Sequence, residues 1–214
     1  LTAADIHPPL YYWLLHVWLV FGQSEAAIRS LSAAIGILSV ACMYGLGRQL
    51  AGRRAGELAA LFLAVAPLHI WYSQEARMYG LATLWAIVST WLLVVALRKD
   101  RWPAWAGYMV AVALGMYTHY YVGFIVAAQV LFVAYGAVRR QIAPVTLIAF
   151  GVAQSGWILL FAPWVPTVIS QLRAGGGEWV AQAVGRPDVR TLGDTLIGFA
   201  VGPAREFLPA WPRR

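Results

Sequence analysis

Charge is what this sequence has least of. Only 12% of its 214 residues are Asp, Glu, Lys or Arg, while 61% are hydrophobic. Soluble domains carry about 25% charged and about 45–50% apolar residues. One core cannot hide this much apolar surface from water, so an ordinary soluble globule is excluded and lipid is the natural solvent. Cysteine is nearly absent. The single one, Cys42, lies inside an apolar run and can form neither an intrachain disulfide nor a thiolate metal cluster. There is no P-loop lysine motif and no Gly-x-Ser-x-Gly, and serine nucleophile chemistry has no visible base. Gly45 and Gly47 sit in an apolar span rather than in the strand–turn–helix setting that a dinucleotide site needs.

The formal charge is +7, but its placement argues against nucleic acid. The basic residues form short clusters between apolar runs: Arg48, Arg53 and Arg54, then Arg98, Lys99 and Arg101, then Arg139 and Arg140. No basic face with interleaved aromatics is present. The chain starts at Leu1 without methionine, ends at Arg214, and shows no signal peptide. It reads as a piece of a longer protein, cut at both ends.

The expected fold is all-α and integral to a membrane. A span needs about 20 mostly apolar residues. About six spans fit, near 29–47, 57–73, 79–97, 103–118, 121–138 and 143–165. Thr118-His119-Tyr120-Tyr121 folds back the long uncharged run 102–138. Pro9 to Phe21 is shorter and aromatic, as expected of an interfacial helix. Its two prolines, Pro8 and Pro9, open a helix well but could not sit inside one. After Pro163 and Pro166 the texture changes. Residues 1–172 read as a membrane domain and 173–214 as an extracytoplasmic tail, in which 189–201 could lie as an amphipathic helix on the membrane surface.

Lys and Arg counts orient the spans. Loops 48–56, 98–102 and 139–141 hold eight; the opposite set, 1–29, 72–79 and 117–121, holds two, Arg29 and Arg77. The arginine-rich loops should face the cytoplasm. The other face then carries three polar clusters. Asp5 and His7 precede Tyr11; Tyr72-Ser73-Gln74-Glu75-Ala76-Arg77-Met78-Tyr79 joins two uncharged runs; and Tyr117-Thr118-His119-Tyr120-Tyr121 makes the turn. Ionisable groups at the edge of a span are costly and usually line a cavity or substrate path.

Each cluster has a plain reading beside the functional one. Asp5 can be an N-cap and His7 an exposed histidine. Glu75 and Arg77 can be a structural ion pair, and a tyrosine belt is common at an interface. Functionally, Arg77 could grip a phosphate through two parallel hydrogen bonds, near the free N–H groups of a helix start. Glu75 could be a base, a sugar-hydroxyl acceptor, or the partner that orients Arg77; on one helix it would share a face with Tyr79. Asp5, His7, Glu75 and His119 could in principle hold a divalent metal, but no pair has a diagnostic spacing.

Taken in order, these strings resemble a known family. They are Asp5-Ile6-His7-Pro8-Pro9-Leu10-Tyr11-Tyr12, Ser24-Glu25 with Arg29, Gly45-Leu46-Gly47-Arg48, the stretch Tyr72 to Tyr79, Tyr117 to Tyr121, and Ala162-Pro163-Trp164-Val165-Pro166. The chain is similar to the bacterial branch of glycosyltransferase family 39, the dolichyl-phosphate-mannose protein mannosyltransferase superfamily. The resemblance implies part of a C-type glycosyltransferase fold and a sugar donor linked to polyprenyl phosphate. It implies inverting transfer to a protein, lipid or glycan acceptor. It also implies that the principal base belongs to an Asp-Glu pair upstream of Leu1, with Glu75 as a supporting acid. Asp5, His7, Tyr11, Tyr72, Gln74, Arg77, Tyr79, His119 and Tyr120 are the expected substrate-binding residues. Such an enzyme would lie in the bacterial plasma membrane with its active site outside, and this piece alone would be inactive. The alternative is a non-enzymatic transporter or lipid-binding membrane subunit, in which Glu75 and Arg77 form a gate or a bridge.

Overall fold

In a computed structural model, residues 7–174 are described, together with Gly193 and Gly198 beyond them. Asp5 and most of the 173–214 tail, including the surface helix expected at 189–201, lie outside the described residues. The described part is helical, with no strand among its elements.

The helices are α1 (Leu10–Trp18), α2 (Glu25–Ala51), α3 (Arg53–Val65), α4 (Pro67–Gln74), α5 (Tyr79–Lys99), α6 (Trp102–Met116), α7 (Val122–Val138), α8 (Pro144–Phe161) and α9 (Val165–Arg173). Their starts follow local chemistry. Pro9 caps α1. Ser24 caps α2, its Oγ accepting from the Ala27 N–H at 3.2 Å. Proline stands in the first turn of α4, α6, α8 and α9, where its missing N–H costs no helical bond.

By length and composition, Glu25–Ala51, Tyr79–Lys99 and Pro144–Arg173 can cross a membrane, and α3 with α4 makes a fourth if the pair is one span. The expected 57–73 span is therefore not one straight helix. Ala66 breaks it, Pro67 starts anew, and the two parts meet at 60°. Helices α6 and α7 occupy the remaining expected intervals but are short, at 15 and 17 residues.

Two apolar clusters organise the helices. One centres on Leu93, Trp105, Tyr108, Val112, Val133 and Phe150, between α5, α6, α7 and α8. The other joins Tyr11, Leu31, Ile35, Met78, Leu81 and Leu84, between α1, α2 and the start of α5. Large apolar side chains such as Phe124 (73% exposed) and Leu131 (70%) point outward. Lipid, not water, is a suitable solvent for them. Helices α2 and α3 approach closely through two glycines. A Cβ on Gly56 would meet the Tyr44 carbonyl oxygen at 2.7 Å, and one on Gly47 would meet Gly56 Cα at 2.9 Å. In lipid, where apolar burial gives helices little reason to associate, small residues let backbones pack directly.

A polar network is buried inside the first cluster. The Tyr108 hydroxyl donates to Gln129 Oε1 at 3.0 Å and accepts from Gln154 Nε2 at 3.0 Å. Gln129 Nε2 donates to Ser89 at 3.2 Å and to Thr90 at 3.0 Å, and Trp157 donates to Gln154. Four helices are thereby tied by groups that satisfy one another.

Candidate functional site

The loop between α4 and α5 carries the central charges, and its path explains their placement. Helix α4 ends at Gln74, and Glu75 is already extended (φ −91°, ψ 136°). Met78, wholly buried, pins the loop to the second apolar cluster before Tyr79 starts α5. Glu75 is thus not on the helix of Tyr79, and the shared face expected from their spacing of four does not exist. The helix break intervenes.

Nor do Glu75 and Arg77 form the ion pair of their plain structural reading. Glu75 accepts from the Trp71 indole N–H at 2.9 Å, one turn back on α4. The Arg77 guanidinium lies over the Tyr79 ring, 5.5 Å from its centroid. Neither ion pair among the described residues involves Arg77; they join Arg29 to Glu25 and Arg53 to Glu57. Both Glu75 and Arg77 line an open groove of about 510 Å³, together with Gln74, Ala76, Trp71, Ile28, Glu25 and Arg29.

Beside this groove the three polar clusters of the sequence converge. Tyr72 and Tyr79 have ring centroids 4.7 Å apart, Tyr79 and His119 5.6 Å, and His119 and His7 5.9 Å. His119 is buried in the α6–α7 turn, where its Nδ1 accepts the Tyr121 N–H at 3.1 Å. A neutral ring with that bond carries its proton on Nε2. Burial, with His7 beside it, pulls the His119 pKa from 6.5 down to about 4, so the ring is neutral near pH 7. Arg77 belongs to both the groove and the ring stack, since its guanidinium covers Tyr79.

Two expected residues sit elsewhere. Tyr11 is fully buried under α2, with its hydroxyl 2.8 Å from Ser32 Oγ. The Tyr120 hydroxyl donates to Gln171 at 2.7 Å and accepts from Trp164 at 3.1 Å, which ties α9 to the turn. Sequence reasoning gave no site role to Glu25, Ile28, Arg29 or Trp71, which also line the groove. The Trp71–Glu75 spacing of four was the available signal for one of them. Among the described residues no group of three or more His, Cys, Asp or Glu is placed to hold a metal ion.

The sequence pattern of the dolichyl-phosphate-mannose-protein mannosyltransferases matches residues 6–166. YkcB of Bacillus subtilis, named only provisionally as a mannosyltransferase, is 27% identical over 95 residues, 44% of this chain and 13% of that protein. The chain thus matches only a small share of that relative's length. No solved structure matches significantly. A match across three quarters of the sequence, including both the His7 and the Glu75–Arg77 strings, establishes that this chain belongs to the dolichyl-phosphate-mannose-protein mannosyltransferase family.

Proposed function

We propose that this chain is part of a membrane glycosyltransferase that moves a sugar from a polyprenyl-phosphate donor to a protein, lipid or glycan acceptor. The transfer takes place on the extracytoplasmic face of the bacterial plasma membrane. One observation carries the reading. The Arg77 guanidinium, which has no carboxylate partner among the described residues, and a carboxylate, Glu75, share an open groove at the end of apolar helices. A greasy donor with a charged head and a polar acceptor can meet only where membrane and water adjoin. On this reading α6 and α7 also cross the bilayer, giving six spans in a C-type arrangement, with the arginine-rich ends inside.

In the reaction, an acceptor hydroxyl oxygen attacks the anomeric carbon from the side opposite the phosphate. The carbon–oxygen bond to phosphate breaks, the phosphate keeps the electron pair, and the configuration inverts. Arg77 binds the phosphate and stabilises its growing charge. Glu75 accepts a sugar or acceptor hydroxyl and helps to align it. The proton goes to a base on a segment upstream of Leu1. Tyr72, Tyr79, His7 and His119 wall the site, and His119, neutral near pH 7, contributes a donor without a charge. Much of the rate comes from holding donor and acceptor in line.

The test uses the full-length protein in membranes with labelled polyprenyl-phosphate sugars. Arg77→Ala and Glu75→Gln are each expected to lower transfer by about a hundredfold or more, while membrane insertion is unchanged. Wild-type turnover in both variants would sink the assignment of this loop. Uptake of the sugar with no glycosylated product would point to a transporter instead.

A further inference from the structure

The groove is bordered by an arginine that the reaction scheme does not use. Arg29 stands in the first turns of α2, on a helix start fixed by the Ser24 cap. Its Nη1 donates to the carbonyl oxygen of Gln74 at 3.2 Å, and its Nη2 pairs with Glu25 Oε1 at 2.6 Å. Gln74 is the last residue of α4, where helical carbonyls have no partner in the helix and a cation is favoured by the helix dipole. The acceptor atom lies in the residue before Glu75 and three before Arg77. The side chains of Arg29 and Glu25 are 53% and 78% exposed, so their ion pair adds little to stability. Its effect is geometric: Glu25 holds one arm of a planar fork, so the other arm points at Gln74.

We propose that Arg29, oriented by Glu25, is a positioning residue that clamps the end of α4 and thereby sets where Glu75 and Arg77 stand in the groove. The inference rests on the functional reading of that loop. Arg29 is rooted on a rigid helix while the loop is irregular. A site built on a loop keeps its geometry only where such a support holds it. Gly36 of α2 packs against Ser73 just upstream, so α2 supports α4 at two neighbouring points, one by close packing at a glycine and one by a charge-assisted hydrogen bond.

A mutant cycle for transfer, in the full-length protein in membranes, tests the clamp. Arg29→Ala is expected to lower turnover about tenfold, since small misplacements of reacting groups cost rates of that order. Arg29→Lys, which keeps the charge but not the fork, should fall between wild type and alanine. In a background carrying both Arg77→Ala and Glu75→Gln, Arg29→Ala should cost less than about twofold more, because a support has nothing left to place. Wild-type turnover in Arg29→Ala beside an inactive Arg77→Ala overturns the clamp and leaves the reading of the loop intact. Full multiplication of the Arg29→Ala loss in that background also overturns it, since Arg29 would then act independently. Wild-type turnover in Arg77→Ala overturns both. If Arg29→Ala does not accumulate, the same cycle run with Glu25→Gln decides the matter, with an expected loss of about threefold and the same non-additivity.

Discussion

Two polar sites in this molecule are built on opposite plans. The network around Tyr108 and Gln129 is buried and closed. Its donors and acceptors meet one another across α5, α6, α7 and α8. The groove around Glu75 and Arg77 is open and unevenly matched: one carboxylate is held by an indole, and one guanidinium rests on a tyrosine ring. A closed network has nothing left to offer a ligand and therefore serves to fix helix register. An open one keeps bonding capacity for something that arrives from outside.

The contrast can be broken at either site. Gln129→Leu is expected to have the largest effect. It removes the acceptor of the Tyr108 hydroxyl and the donor to Ser89 and Thr90, and should destabilise the detergent-solubilised protein by about 1–3 kcal/mol, with turnover of the folded fraction unchanged. Equal losses of stability and turnover would show that the two sites are coupled. Trp71→Phe is the reverse test. It removes the indole donor from Glu75, and turnover should fall about threefold to tenfold while thermal stability stays within error. A stability loss in place of a rate loss would return Glu75 to a structural role.

The smallest effect concerns pH. In the folded chain His119 has a pKa of about 4, below its ordinary 6.5. The unfolded state therefore takes up the proton first. The contribution of this group is complete above about pH 6.5 and is lost as pH falls towards 4. Thermal stability measured across that window should decline in the wild type and decline less in His119→Gln. An identical slope in both would mean that other groups set the acid limit.

Much of the fold was legible in the sequence. Pro8 and Pro9 announced the start of α1, and the uncharged stretch after Met78 gave α5 to within two residues. The uncharged run 102–138 is too long for one helix, and its most polar stretch, Thr118 to Tyr121, marked where it turns. Convergence of His7, Tyr79 and His119 was expected, and their rings do meet. What could not be read has physical causes. The direction change at Ala66 and Pro67 hides inside an uninterrupted apolar run, and hydrophobicity carries no sign of direction. The bond from Arg29 ends on a backbone carbonyl 45 residues away, and a carbonyl belongs to every residue type. Gln129 and Gln154 are single polar residues within apolar helices; only packing reveals that they face each other's partners.

The bend between α3 and α4 also fixes a reach. Run straight, Arg53 to Gln74 would reach about 33 Å, past the far edge of a hydrocarbon layer about 30 Å thick. Helix α3 has 13 residues and α4 has 8, about 20 Å and 12 Å long. Inclined by 60°, α4 gains only half its length along the axis of α3, about 6 Å. With α3 upright, the total is about 26 Å. The bend thus shortens the reach of this pair along the α3 axis by about 7 Å, which sets how far Glu75 and Arg77 stand from the start of α3.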